Sequence, residues 1–201
     1  MRVILASSSP YRQALLRQIR LPFMAVKPEV DEAAFPRANL SPNEIAQSLA
    51  ALKGEDVVCR FQADLIIASD QVAHFDDEIL NKPGTIAKAE NQLSKLSGQT
   101  HALSTALWMR HPTLGVYSHL DETKIKLRTL TSDEIRAYVK TDNPLDCAGA
   151  YKIESAGISL IEEIKSADQT AIVGLPLIAL CHARRQWRLP APFLWPKGEL
   201  E

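Results

Sequence analysis

Arg2-Val3-Ile4-Leu5-Ala6-Ser7-Ser8-Ser9-Pro10-Tyr11-Arg12 opens the chain and changes physical character within a few residues. Val3 to Ala6 is a short continuous apolar run, as a strand buried on both faces requires. Three serines follow, and beyond Pro10 the residues Ala14, Leu15, Leu16 and Ile19 recur at helical spacing. Ser9 is placed to cap that helix, and Pro10 suits its first position, where a missing N–H costs nothing. The segment reads as strand, serine turn and helix N-terminus, the opening of an α/β unit. Free backbone N–H groups and the positive end of the helix dipole then face outward at Ser7–Ser9, which suits an anion. Arg12 in the first turn opposes the dipole, a small cost that a nearby phosphate would offset. A capped helix with a solvent-facing Arg12 fits the same residues.

Outward from this opening the pattern repeats. Ser41-Pro42-Asn43-Glu44 has the spacing of a capping box, and the helix it starts runs through Ile45, Leu49 and Leu52, with Lys53 near its end. Asp64 to Ala68 reads as a second buried strand ending at Ser69-Asp70-Gln71. Thr85 to Leu96 reads as a helix stopped by Gly98. His101 to Met109 and Val116 to Leu127 alternate in part and carry β-type residues, so a strand pair is expected. Thr131-Ser132-Asp133-Glu134 caps a helix through Tyr138, Ile158 to Ile161 looks like a strand, and Leu175 to Trp187 is a final helix entered through Gly174 and Pro176. Strands and helices mix without a linker, so the fold class is α/β, a mixed sheet with flanking helices. Residues 1–189 form one domain, with room for two lobes, and 190–201 form a proline-bearing tail expected to be irregular.

Two further clusters carry chemistry. Ser69-Asp70-Gln71 lies at the expected exit of an apolar strand and is followed by Asn81-Lys82-Pro83-Gly84-Thr85; ligands of α/β folds gather beyond the carboxyl ends of strands. A carboxylate there can hold Mg²⁺ or orient a water, and Lys82 can neutralise a phosphoryl oxygen. Glu29-Val30-Asp31-Glu32 gathers acidic residues, which beside a phosphate calls for a bridging divalent cation. Each cluster also has an ordinary reading, as a capped turn, a solvated Lys and a solvated loop. Together they make the inventory that phosphoryl-transfer chemistry needs.

Composition narrows the partners. The formal net charge of −1 gives no basic field for a nucleic acid polymer, so an anionic ligand must be held by local donors. The three cysteines, Cys59, Cys147 and Cys181, are far apart and suggest neither a disulfide framework nor a zinc site. The five histidines never fall into metal-binding spacing. The apolar stretch after Arg2 is too short for a signal peptide, and the run Ala171 to Leu180 is broken by Gly174 and Pro176, so no membrane partner and a cytoplasmic location are expected.

Ala6-Ser7-Ser8-Ser9-Pro10-Tyr11-Arg12, Ser69-Asp70-Gln71-Val72, Lys82-Pro83 and Gly174-Leu175-Pro176, in this order, closely resemble the Maf family of nucleoside triphosphate pyrophosphatases. The similarity runs from the first strand to about Arg185. It implies an elongated, two-lobed fold like that of inosine triphosphatases, a central cleft, commonly a homodimer, and cleavage between the α- and β-phosphates with a divalent cation, Mg²⁺ or Mn²⁺. Carried over by position, Asp70 matches the family's general base, and Ser8, Arg12, Glu32, Lys53 and Lys82 match its phosphate- and metal-handling residues. Asp70 and Glu32 would be the metal carboxylates.

Three positions separate the family's substrate groups. Tyr11, Gln71 and Glu154 stand where the dTTP/UTP group has Arg, Thr and Gln, and they resemble the 7-methyl-GTP group, in which an aromatic, Gln and Glu are expected. Tyr11 departs from that group in replacing Trp. The resemblance therefore implies hydrolysis of 7-methyl-GTP to 7-methyl-GMP and pyrophosphate, a house-cleaning reaction on modified nucleotides. Another base, such as dTTP or UTP, and a nucleotide-binding regulator of cell division with little turnover are the alternatives. The chemistry agrees with the first reading. N7-methylation makes guanine cationic, which favours stacking on an aromatic face by about 0.5–2 kcal/mol. A carboxylate can accept from guanine N1–H and the 2-amino group together. Tyr11 would stack, Glu154 would take the edge, and Gln71 could read a remaining edge or serve a structural role.

Overall fold

The computed structural model describes residues 1–76 and 78–195. Contact density divides the chain into two units. The first comprises Met1–Gln71, Thr105–Asp121 and the stretch beginning at Asp168; the second comprises Val72–Ser104 and Glu122–Ala167.

In the first unit, β1 (Val3–Ala6) is flanked by parallel neighbours. It pairs with β2 (Met24–Val26) through Ile4↔Met24 and with β3 (Leu65–Phe75) through Ile4↔Ile66. A strand so placed is covered on both faces, which is why Val3 to Ala6 and Leu65 to Ala68 are apolar without alternation. One face packs Val3, Leu5, Leu65 and Ile67 with Leu15 and Leu16 of α1 (Pro10–Gln18) and Leu177, Leu180 and Ala183 of α6 (Leu177–Gln186). On the other, α2 (Pro42–Arg60) packs against β1 and buries Ile45, Leu49 and Val57. Gly54 lies inside α2, where glycine costs about 1 kcal/mol relative to alanine. Its role is steric: a Cβ there would lie 2.1 Å from Cε3 of Trp108.

The second unit takes the later part of β3, which pairs antiparallel with β4 (Glu78–Leu80) through Ala73↔Leu80. The early part of β5 (Thr100–His111) and the later part of β6 (Gly115–Leu127) belong to it, and β6 pairs antiparallel with β7 (Ile161–Lys165). Helices α3 (Ile86–Leu96) and α4 (Ser132–Asp142) pack together and bury Leu93, Leu96, Ile135 and Val139. Among the described residues the strands make a seven-stranded mixed sheet of order β2-β1-β3-β5-β6-β7, with β4 paired to β3.

Several elements differ from expectation. β3 does not end before Ser69-Asp70-Gln71 but runs on to Phe75, because its later residues find a partner in β4. α2 continues seven residues past Lys53 to Arg60, so Lys53 is an interior residue of the helix. Residues Ala156–Leu160 form a 3-10 turn, and the strand expected there starts at Ile161. α6 starts at Leu177, because Gly174 is left-handed (φ 113°) and Pro176 has no N–H to give. A short helix, α5 (Gln169–Val173), precedes it. In the tail, Pro192–Leu194 form a 3-10 turn and the Trp195 ring covers the Arg184 guanidinium at 4.4 Å; residues 196–201 of the tail lie outside the described residues. No described helix is long and apolar enough to cross a membrane.

Gly54→Ala is expected to lower stability by about 1–3 kcal/mol, the range for overpacking a filled interior, despite the better helix propensity of alanine. A urea unfolding midpoint equal to or above that of the parent would overturn this account of Gly54.

Candidate functional site

The serine turn forms as its residues dictate. Ser9 caps α1 by accepting from the Arg12 backbone N–H (3.4 Å), and the Ser7 hydroxyl accepts from Ser9 N–H (3.1 Å). Ser7 is buried and Ser8 exposed. Arg12 does not point freely into solvent. Its Nε–H donates to the carbonyl of Gly174 (2.8 Å) and its Nη1 approaches the Ser7 hydroxyl (3.5 Å). Burial lowers the Arg12 pKa, and Asp70 and Glu32 oppose that fall. A guanidinium stays charged under such a shift.

Asp70 lies inside β3 and is only 6% exposed; Lys53, from the interior of α2, is 7% exposed. Lys53 Nζ meets Asp70 Oδ1 at 2.5 Å and Glu32 Oε1 at 2.9 Å, so one ammonium joins a buried carboxylate to an exposed one. Burial raises the Asp70 pKa; Lys53 and Arg12 pull it down, Glu32 adds to the rise, and the net direction is up. A buried carboxylate of raised pKa beside fixed cations is the profile of a proton acceptor or ion ligand rather than a surface charge. The two carboxylates offer hard oxygen donors suited to Mg²⁺ or Mn²⁺. Among the described residues no group of three or more His, Cys, Asp or Glu could hold a metal by itself. Arg12, Glu32, Lys53 and Asp70 are thus brought together in the first unit, with Tyr11 half-buried on the first turn of α1.

Gln71, next in β3, is committed to backbone. Its Nε2 donates to the carbonyls of Ala171 (2.9 Å) and Ile172 (3.0 Å) and lies 2.9 Å from Thr105 Oγ1. Ser69, fully buried on the same strand, lies 2.7 Å from the carbonyl of Ala106 and 2.8 Å from that of Gly174, with one hydroxyl proton between them. The sequence placed Ser69 in the Ser69-Asp70-Gln71 motif without giving it a role, and Asp168 was not singled out. The Asp-Gln-Thr spacing at 168–170 carried a legible N-cap signal, and Asp168 does cap α5.

Lys82 and Glu154 belong to the second unit, and both are exposed. The loop that carries Glu154 is braced from within. The Tyr151 hydroxyl lies 2.9 Å from His101 Nε2, the Lys152 N–H donates to the Tyr138 hydroxyl (2.8 Å), and Lys152 Nζ donates to the carbonyls of Asp142 and Asn143 at the end of α4. Burial, with His74 adding in the same sense, lowers the His101 pKa to about 4, so this brace uses a neutral imidazole.

Over residues 2–187 the chain matches the family described as Maf-like protein. It is 47% identical over 185 residues to a protein of Xanthomonas axonopodis pv. citri named 7-methyl-GTP pyrophosphatase, covering 92% of this chain and 96% of that one. It is 39% identical over 194 residues to a protein of Acinetobacter baylyi named nucleoside triphosphate pyrophosphatase, covering 94% and 97%. Among solved structures, the Ham1 protein of Staphylococcus aureus matches with a TM-score of 0.49 at 14% identity, covering 92% of this chain and all of that one. The chain belongs to the Maf family.

The His101 brace should carry a pH signature. An unfolded imidazole titrates near 6.5, whereas His101 in the fold resists protonation to about pH 4. The unfolded chain therefore binds the extra proton between those values, and stability falls as pH drops through that window, by at most about 1.4 kcal/mol per pH unit. Chemical unfolding between pH 4 and 7.5 should show a shallower decline for His101→Gln than for the parent; parallel curves would refute the assignment.

Proposed function

We propose that the protein is a nucleotide pyrophosphatase that hydrolyses 7-methyl-GTP to 7-methyl-GMP and pyrophosphate. One observation carries the chemistry: a buried carboxylate, Asp70, held 2.5 Å from a buried lysine whose other partner is a second acidic residue, Glu32. The curated relative from Xanthomonas, similar over nearly all of both chains, supports the substrate.

Water attacks the α-phosphorus in line with the bond to the β-phosphate. Asp70 accepts the water's proton, the new P–O bond forms, and the bridging P–O bond breaks to release pyrophosphate. Removing Asp70 from water raises its affinity for that proton, and Lys53 keeps the carboxylate oriented. Arg12, Lys53 and the Ser7–Ser9 turn, with Ser8 exposed at its centre, balance the charge that grows on the leaving group, a role the family resemblance gives to Lys82 as well. A Mg²⁺ or Mn²⁺ ion held by Glu32 and phosphate oxygens would add Lewis-acid stabilisation; with Asp70 among its ligands, Asp70 would hold the ion that acidifies the water instead of taking the proton itself. The family resemblance supports the base contacts: by it Tyr11 is the residue that would stack on the cationic base and Glu154 the one that would accept from its N1–H and 2-amino groups. The hydrogen bonds of Gln71 favour the structural part of its two readings.

Pyrophosphate release from 7-methyl-GTP, GTP, dTTP, UTP and CTP, with Mg²⁺ or Mn²⁺, tests this reading. A preference for 7-methyl-GTP is expected; a pyrimidine preference would keep the reaction and refute the base assignment. Asp70→Asn should lower kcat by about 100-fold or more, the range for loss of a general base, with the fold retained. An unchanged rate would remove Asp70 from the mechanism. Glu154→Gln should reduce the 7-methyl-GTP rate relative to UTP by about tenfold, as expected for one charge-assisted contact. An unaltered ratio would assign recognition of the base elsewhere.

A further inference from the structure

Arg12 owes its orientation to a peptide far away in sequence. Its Nε–H is spent on the Gly174 carbonyl, which keeps that edge of the guanidinium off any ligand and fixes the plane of the rest. Ser69, one residue before Asp70 on β3, approaches the same carbonyl. The direction of that carbonyl therefore matters to the site, and it belongs to a left-handed turn between two helices. A Cβ at Gly174 would need the strained φ of 113° and would stand 3.4 Å from Arg12 Nε.

The turn does not hold itself. α5 is five residues long, too short to be stable by its own hydrogen bonds. It is clamped by Asp168, a carboxylate only 4% exposed. Oδ1 of Asp168 accepts from the Thr170 N–H (2.9 Å) and from the Thr170 hydroxyl (2.6 Å), and Oδ2 reaches across the turn to the Ile178 N–H (2.7 Å) in the first turn of α6. The Thr170 hydroxyl in turn accepts from the Leu177 N–H (2.8 Å). One carboxylate and one hydroxyl thus bridge the residues on either side of Gly174. From the side of β3 and β5, Gln71 and Thr105 donate to the carbonyls of Ala171 and Ile172.

We infer that Asp168, acting with Thr170, is a positioning residue for the reaction: it sets the Gly174 carbonyl, and through it the Arg12 guanidinium that binds phosphate. This rests on the phosphate role of Arg12 proposed above. Neither residue touches substrate. Of the two groups that meet the Gly174 carbonyl, Arg12 Nε–H and the Ser69 hydroxyl, the first carries their effect to the phosphate. Asp168→Asn keeps the shape but replaces an acceptor by an amide donor. Either the Ile178 N–H or the Thr170 pair then faces a donor, and the turn must rotate.

A double-mutant cycle on kcat/KM for 7-methyl-GTP separates this from a general packing role. Arg12→Ala should lower kcat/KM by about 100-fold, as for loss of one fixed cationic donor, and Asp168→Asn by about tenfold. If Asp168 acts through Arg12, adding Asp168→Asn to Arg12→Ala should cost less than about twofold more. Full multiplication of the two losses would overturn the inference while leaving the role of Arg12 intact. An Arg12→Ala enzyme as fast as the parent would overturn the phosphate role itself. Thr170→Ser keeps the hydroxyl and should keep the rate, whereas Thr170→Val should lose activity by the same route. If Asp168→Asn loses its circular-dichroism signature of folding, the same cycle run with Thr170→Val decides the matter.

Discussion

The burial of Asp70 against Lys53 is the constraint around which the first unit is arranged. Two opposite charges withdrawn from water cost several kcal/mol each before any return, and a pair without further partners would be no better than two apolar side chains. The return proposed here is functional. Lys53 approaches a second carboxylate, Glu32, and Arg12 stands within electrostatic reach, so the buried group is part of a charged set rather than an isolated pair. The surrounding fold serves to keep these groups where water would otherwise have drawn them out. α2 has to run past Lys53 to Arg60 so that the lysine leaves a rigid, covered turn of helix, and Gly54 lets Trp108 close on that turn.

β3 solves a related problem. A strand whose residues from Leu65 to Asp70 are all buried must satisfy every polar group it carries. Ser69 does so on the carbonyls of Ala106 and Gly174, Asp70 on Lys53, and Gln71 on the carbonyls of α5. The Gly174 carbonyl is shared between Ser69 and Arg12, which ties the strand bearing the proposed base to the helix bearing the proposed phosphate-binding guanidinium. Orientation of this kind is what a site relying on electrostatic stabilisation needs, because fixed donors do not have to reorganise as charge develops.

The second unit shows the same economy around Glu154. Lys152, two residues away, is occupied by the carbonyls that end α4, and Tyr151 by the neutral His101. An exposed residue is thereby carried on a loop whose neighbours are tied down, Tyr151 in the interior and Lys152 at the end of α4, the arrangement expected when a loop must present one side chain in a fixed place.

Much of this was legible in the residues themselves. The run Val3 to Ala6, the Ser9–Pro10 cap and the capping boxes at Ser41 and Thr131 determine local structure through short-range hydrogen bonding and apolar periodicity, and those elements start where the chain predicts them. The motifs around Ser7, Asp70, Lys82 and Gly174 likewise carried the family, since they name the chemistry without needing its geometry. What the chain could not state was which distant groups meet. That Arg12 is held by the Gly174 carbonyl and that Gln71 is spent on α5 are consequences of pairing between segments separated by many residues, while the clamp by Asp168 and the run of β3 through Asp70 depend on nearer partners, the Ile178 N–H and β4. Local sequence sets what each segment can offer; only closure of the fold, by removing water and bringing in a partner from elsewhere, decides which donor each acceptor receives.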